Sequence, residues 1–432
     1  MIAAQERTAR DGSARDVQSL RRHLLRGLTH WEGAAERLDD FEASAPAAAW
    51  AHLERRCGVT LRAELKTARD RLKREAAVVR ASFTAALSRE DLTRIDRQIT
   101  GLRDRYMKTE LLVDFFVDAV RSRSNPEVGL QLRACDVMAD RAIGAALGTL
   151  DIAVPPIVTY FKPGLGAAIL RIGTPLWDGS LSRVAAIKVT YHNRFRTTAL
   201  FHECGHQFAA LCGWNDAFAR LLRTALTGVD SDVAEQLAGW SSEIAADTFA
   251  FAYAGYAAVV AVSDVIAGSD ADAFRFIPGD PHPIAYLRVM LGVEMCRRFY
   301  GMGPWDELAA SWADLHAVAG ADPITSSLVR AILPLLPRVV SLALLTELPC
   351  FRGRRLADLV DPQRVAPAAL AQLARDGGAA LFTSTHWLRT ECLRLTALSG
   401  LRFANEPERG REILAQQEDW MIKLGHFAAS AA

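Results

Sequence analysis

Only one stretch of this chain, residues 154–191, has the texture of β-strands; on both sides of it the apolar residues recur at helical spacing. Before it, Val17, Leu20, Leu24, Leu28 and Trp31 form one helical stripe and Leu61, Leu65, Ala68 and Leu72 another. Arg and Lys alternate with Asp and Glu between them. Asn125-Pro126 interrupts this region. After it, helix resumes near Thr197 and runs on, broken by Gly- and Pro-containing segments at 279–283, 301–304, 320–323, 353–362 and 376–378. Inside the exceptional stretch, Ile157-Val158-Thr159-Tyr160-Phe161 reads as one strand, residues 168–172 as a second, and residues 184–191 as a third, with Ile187, Val189 and Tyr191 on one face. The pattern predicts a mostly helical α+β protein with a small sheet. It has an N-terminal helical region (1–150), a core that holds the strands (151–300) and a C-terminal helical region (301–432).

Size and composition narrow what such a chain does. With 432 residues, half of them hydrophobic, it can bury a sizeable core. A formal net charge of +1 gives no global pull toward nucleic acid or an anionic membrane. The basic run Arg69, Arg71, Lys73, Arg74 is interleaved with acidic residues and reads as a solvated helix face, so no nucleic-acid partner is expected. The first 19 residues are polar and charged, unlike a signal peptide. The most apolar stretches are residues 249–262 and 331–345. The first is shorter than the roughly 20 residues a spanning helix needs, and Pro334, Pro337 and Arg338 interrupt the second. Both read as buried helices, and no membrane span is expected. Seven scattered cysteines, odd in number and never in CxxC spacing, fit reduced thiols in the cytoplasm better than a disulfide framework.

The chemistry concentrates in Ala199-Leu200-Phe201-His202-Glu203-Cys204-Gly205-His206-Gln207-Phe208. On a helix His202 and His206 lie four apart on one face, so two imidazoles reach one ion. Glu203, next to the first of them, can lean over an open coordination position and take a proton from the attacking water. The pattern H-E-x-x-H arises by chance in roughly one sequence in a hundred of this composition.

A tetrahedral catalytic zinc needs a third protein ligand. One arrangement places it six residues after the second histidine, following a turn-making glycine. Here those positions hold Cys212 and Ala209; Ala209 lets the helix continue, and Cys212 then faces away. No upstream glycine-rich segment offers a cysteine. The remaining candidate is Ser242-Glu243-Ile244-Ala245-Ala246-Asp247, where Glu243 can supply a carboxylate. Asp247, one turn on, can accept the free ring N–H of a ligand histidine. Such pairs are common in a chain with 50 acidic residues. This one opens the most apolar helix of the chain, where two unpartnered carboxylates are costly.

H-E-x-x-H followed by E-x-x-A-D-x-x-A resembles the gluzincin metallopeptidases, and the His-Pro segment Asp280-Pro281-His282-Pro283-Ile284-Ala285-Tyr286-Leu287-Arg288 makes the M48-type peptidases the nearer likeness. The likeness covers about residues 155–300. It lacks that family's membrane helices and has a longer gap between Gln207 and Glu243. It implies a zincin-like core in residues 151–300, Zn2+ on His202, His206 and Glu243, and Glu203 as general base in peptide hydrolysis. It also implies an edge strand at 184–191 that pairs with a protein or peptide substrate in extended conformation. His282, Tyr286 or Arg288 is expected to stabilise the oxyanion of the reaction. Alternatively Asp280 or His282 caps a helix beginning at Pro283. His192, just after the third strand, is a further candidate for substrate contact. Two rivals remain at this level: a scaffold that zinc merely holds together, and a zinc hydrolase of a non-peptide amide.

Overall fold

The computed structural model describes residues 2–164, 167–194, 196–266 and 268–430. The protein is mostly helical, with one three-stranded sheet. Its contacts divide it into two compact units, one made of residues 1–124 and 173–183, the other of residues 125–172 and 184–432.

The first unit is built on three long helices: α1 (Ile2–Arg37), α2 (Arg55–Ala85) and α3 (Arg89–Arg121). The periodicity marks part of their inward stripes, Leu24, Leu28 and Leu72 among them. Leu24 and Leu28 of α1 are buried with Leu72, Ala76, Val79 and Phe83 of α2 and Leu92, Ile95, Ile99 and Leu102 of α3. Glu54 caps α2 through the N–H groups of Arg56 and Cys57. A reciprocal capping box of Ser88 and Asp91 starts α3 and turns the chain back into a helical hairpin.

The second unit surrounds the sheet. Asn125 caps α4 (Pro126–Gly148) by accepting from the N–H groups of Glu127 and Val128, with Pro126 in the first turn, where its missing N–H costs nothing. α4 is tied to strand β1 (Ile157–Lys162) by Asp136, whose Oδ1 accepts from both the backbone N–H (2.8 Å) and the hydroxyl (2.7 Å) of Thr159. Strands β2 (Ala168–Leu170) and β3 (Ala185–Thr190) complete the sheet in the order β1-β3-β2, with β1 parallel and β2 antiparallel to β3. The third strand is therefore central, not the edge strand that the family resemblance implies. Both of its hydrogen-bonding sides are used and almost every residue in it is buried. The free edge next to the helices described below belongs to β2.

The units cut the chain differently from the three regions expected. α4 belongs with the sheet, because Leu132, Cys135, Met138, Ala142, Ile143 and Ala146 share one core with Ile157, Phe161, Ala185, Ile187 and Val189. The C-terminal helices α9 (Thr385–Asn405) and α10 (Gly410–Ser430) enter the same core through Leu388, Leu395, Trp420, Met421 and Leu424 rather than forming a separate region. Gly425 lets α10 lie directly on α4: a Cβ there would fall 2.2 Å from the Leu130 carbonyl oxygen. Between α4 and α9 run α5 (Thr198–Cys212), α6 (Ser241–Ala254), α7 (Tyr256–Ile266) and α8 (Ala285–Tyr300), which build the site. Among the described residues one helical stretch, Pro323–Leu345, is long and apolar enough to cross a membrane by length and composition. Its Val339, Val340, Ala343 and Leu344 are in the core, whereas Pro334, Pro337 and Arg338 are exposed.

Candidate metal centre

α5 and α6 pack face to face because Gly205 has no side chain. A Cβ at that position would lie 2.8 Å from the Ala246 Cα, 3.0 Å from the Ala246 oxygen and 3.0 Å from the Phe249 Cβ. α5 ends in Gly213, whose φ of 74° is the left-handed conformation that closes helices. Phe208 of α5 stacks on Phe249 of α6, ring centroids 5.0 Å apart, one turn beyond the polar residues.

That approach brings three ligand atoms together. His202 Nε2 and His206 Nε2 are 3.1 Å apart, and the two Glu243 oxygens lie 3.4 Å from His202 Nε2 and 3.2 Å from His206 Nε2. Zinc bonds of about 2.0–2.1 Å in a tetrahedron set ligand atoms about 3.3 Å apart, and each of these pairwise contacts is close to that separation. Tautomers agree with this. His202 Nδ1 lies 2.8 Å from Asp247 Oδ1; an ionised carboxylate only accepts, so Nδ1 carries a hydrogen, and Nε2 is the nitrogen left to a metal that displaces its proton. His206 Nδ1 lies 3.3 Å from the Ser242 hydroxyl.

The cluster is also a concentration of buried charge. Glu203 and Glu243 are 5% and 6% exposed, and Asp247 and Arg288 are half-buried. Three carboxylates face one guanidinium and two imidazoles, so each buried charge is answered by a partner of the opposite sign or by a proton. Burial works against charge on His202, but the hydrogen bond and charge of Asp247, followed by Glu243 and Glu203, raise it to about 10. Burial likewise opposes ionisation of Glu243, yet hydrogen bonds from His202 and His206 hold it well below the usual carboxylate range. Asp247 is held at about 2 against burial by Arg288 and His202. Glu203 alone is raised, by burial only partly offset by the two histidines. It is the carboxylate of the group most ready to hold a proton.

The remaining candidates fall into different places. Arg288 on α8 donates from Nε and Nη2 to the two Asp247 oxygens at 2.8 and 2.7 Å, and its Nη2 lies 3.8 Å from Glu243 Oε2. It braces the carboxylates, with both contacts already spent. Tyr286 is 3% exposed, stacks on Phe274 at 5.2 Å and does not line the cavity. His282 caps no helix: α8 begins at Ala285, two residues after Pro283, and its N-terminus has no side-chain cap. Asp280 instead folds the loop by accepting from the His282 backbone N–H (2.9 Å) and lies 2.7 Å from its Nδ1. The His282 side chain, 62% exposed, turns Nε2 to within 3.8 Å of Glu243 Oε1. Cys212 ends α5, with its thiol against the Ala209 carbonyl and outside the cluster. Asn193, not His192, lines the cavity.

The cluster lines a cavity of about 570 Å³. Its apolar lining comes from Phe251 of α6, Ala258, Val259, Val262, Val265 and Ile266 of α7, Met295 of α8, and Ala168 and Ile169 of β2. In the sequence α7 looks like a plain buried helix. Only the fold reveals that Val262, Val265 and Ile266 are left half-exposed to the cavity. Gln207, immediately after His206, is fully buried and its Oε1 accepts from the Ile172 N–H at 3.0 Å, fixing the end of β2 to α5. A glutamine beside a histidine carries no sequence signal for that role. No protein-family model, no curated protein and no solved structure matches this chain.

Proposed function

We propose that the chain is a zinc-dependent metallopeptidase of gluzincin type, with zinc held by His202, His206 and Glu243. The observation that carries this reading is the convergence of the three residues: the two Nε2 atoms are 3.1 Å apart, and each meets one Glu243 oxygen, at 3.4 Å from His202 and 3.2 Å from His206. When bound, the metal supplies a Lewis acid and lowers the pKa of water. Glu203, adjacent to His202 and the carboxylate most disposed to take up a proton, accepts one from the attacking water and delivers it to the leaving amine. His282, oriented by Asp280, donates to the developing oxyanion from Nε2. Asp247 and Arg288 hold the His202 ring and Glu243 in place. The apolar lining of the cavity takes an apolar side chain next to the scissile bond, while β2 offers its free edge to the extended backbone.

Glu203→Gln tests this against a scaffold role. Gln is nearly isosteric but is a poor proton acceptor, so zinc content and Tm stay near wild type while peptide cleavage falls at least about 10²–10⁴-fold. Equal cleavage by both proteins, or none by either across a broad peptide library, rejects the reading. Loss of zinc from the variant makes Glu203 a ligand or a structural residue instead.

A further inference from the structure

The metallopeptidase reading leaves one charged group at the cavity without a task. Arg171 directly follows β2 and lines the same cavity as Glu203 and the ligand cluster. It is half-buried, and among the described residues it meets no carboxylate. The other guanidinium lining the cavity, Arg288, differs in this respect, being spent on Asp247. A guanidinium drawn partly out of water beside apolar walls is costly unless an anion meets it, and its planar fork suits a carboxylate. Its backbone is not free to drift: the next residue, Ile172, is pinned through its N–H by the buried Gln207. A peptide laid along the free edge of β2 runs past Arg171.

We propose that Arg171 is a specificity-determining residue that binds a carboxylate of the peptide substrate; this rests on the metallopeptidase reading. The carboxylate comes either from the C-terminus of the peptide, which would confine cleavage to positions near that end, or from an Asp or Glu side chain.

The test uses the full chain loaded with zinc and carrying Glu203→Gln, so that peptides bind without being cut. Binding is measured by calorimetry for N-acetylated Leu-containing tripeptides as the free acid, as the C-terminal amide, and as an amide with an internal Glu. Either the free acid or the internal-Glu amide should bind about tenfold to a hundredfold more tightly than the plain amide, the range for a charge-assisted contact. Adding Arg171→Gln should abolish that difference without changing zinc content or Tm, and Arg171→Lys should restore part of it. Tight binding of the internal-Glu amide assigns the contact to a side chain; weak binding assigns it to the C-terminus. Equal affinity for all three peptides overturns the proposal, as does an Arg171→Gln effect that weakens all of them alike. If the wild-type enzyme still cleaves peptides in that case, only the role of Arg171 falls. If no peptide binds and none is cleaved, the metallopeptidase reading falls with it.

Discussion

The two units treat charge in opposite ways. Residues 1–124 hold 24 Lys and Arg against 19 Asp and Glu, with pairs such as Arg94–Asp91 and Arg121–Asp118 that solvent reaches. The second unit withdraws Glu203, Glu243, Asp247 and Arg288 into the contact of α5, α6 and α8. Exposed pairs are worth about 0–1 kcal/mol and constrain little. Buried ones cost several kcal/mol of desolvation per ion and persist only as a closed set, each member answered by another. That contrast, rather than the count of charges, separates the two units in this molecule.

Breaking the buried set should therefore give the largest effect. Arg288→Met removes the guanidinium but leaves Asp247 and Glu243 in place, so about 3–5 kcal/mol of stability should be lost, read by urea denaturation. The same experiment on Arg94→Ala in the first unit should give less than about 1 kcal/mol. Similar losses in both would erase the distinction between the units. Next in size is Gly205→Ala. Its new Cβ meets backbone 2.8 Å away, which cannot swing aside, so α5 and α6 must separate. Overpacking of this kind costs about 1–3 kcal/mol, and the ligand atoms should spread enough to release zinc to a weak chelator. Retained zinc affinity would show that the ligand spacing does not depend on this contact. Asp247→Asn keeps the shape but gives up the charge that orients His202 and pairs with Arg288. Metal affinity should fall about tenfold to a hundredfold, measured by chelator competition. Unchanged affinity would reduce Asp247 to a structural partner of Arg288.

Much of this was legible in the sequence, for identifiable reasons. The helical stripes of the first unit are local, and Leu24, Leu28, Leu61, Leu65 and Leu72 are buried where the periodicity puts them. The i, i+4 spacing of His202 and His206, and the placement of Glu243 and Asp247 at the start of an apolar helix, were enough to single out the residues that converge. What the sequence hid is non-local. Strand order is not a property of any one strand, so the central position of β3 could not be read from its own residues. α4 has helical periodicity on all sides, and nothing local says that it packs on the sheet rather than on α3. Arg288 was visible as a nearby cation, but its engagement with Asp247 depends on how α8 crosses α6. Gly205 passed as a neutral spacer until the opposing Ala246 backbone was in place.

The smallest expected effect lies at an exception to the contrast. Glu64 of α2 is a carboxylate in the first unit that is only 5% exposed. Its two oxygens accept from the Arg183 backbone N–H at 3.3 and 3.2 Å, long contacts that do not replace its lost hydration. Burial raises it from 4.5 to about 7, with the Arg183 N–H and charge opposing. The sign of the consequence follows from proton uptake. Between pH 4.5 and about 7 the unfolded chain has released this proton while the folded chain still holds it, so the folded state binds more protons and stability falls as pH rises through that window. Above pH 7 the loss is complete. Glu64→Gln mimics the protonated form and keeps an oxygen for the Arg183 N–H, so it should match wild type near pH 5 and exceed it at pH 8. The gain should be on the order of 1 kcal/mol, since partial solvation of the group discounts the full shift. Urea midpoints of the full chain at the two pH values decide it. A gain confined to pH 8 makes Glu64 a buried charge that lacks the answering partners of the second unit, whereas equal midpoints at both values make it as well accommodated as the charges around His202.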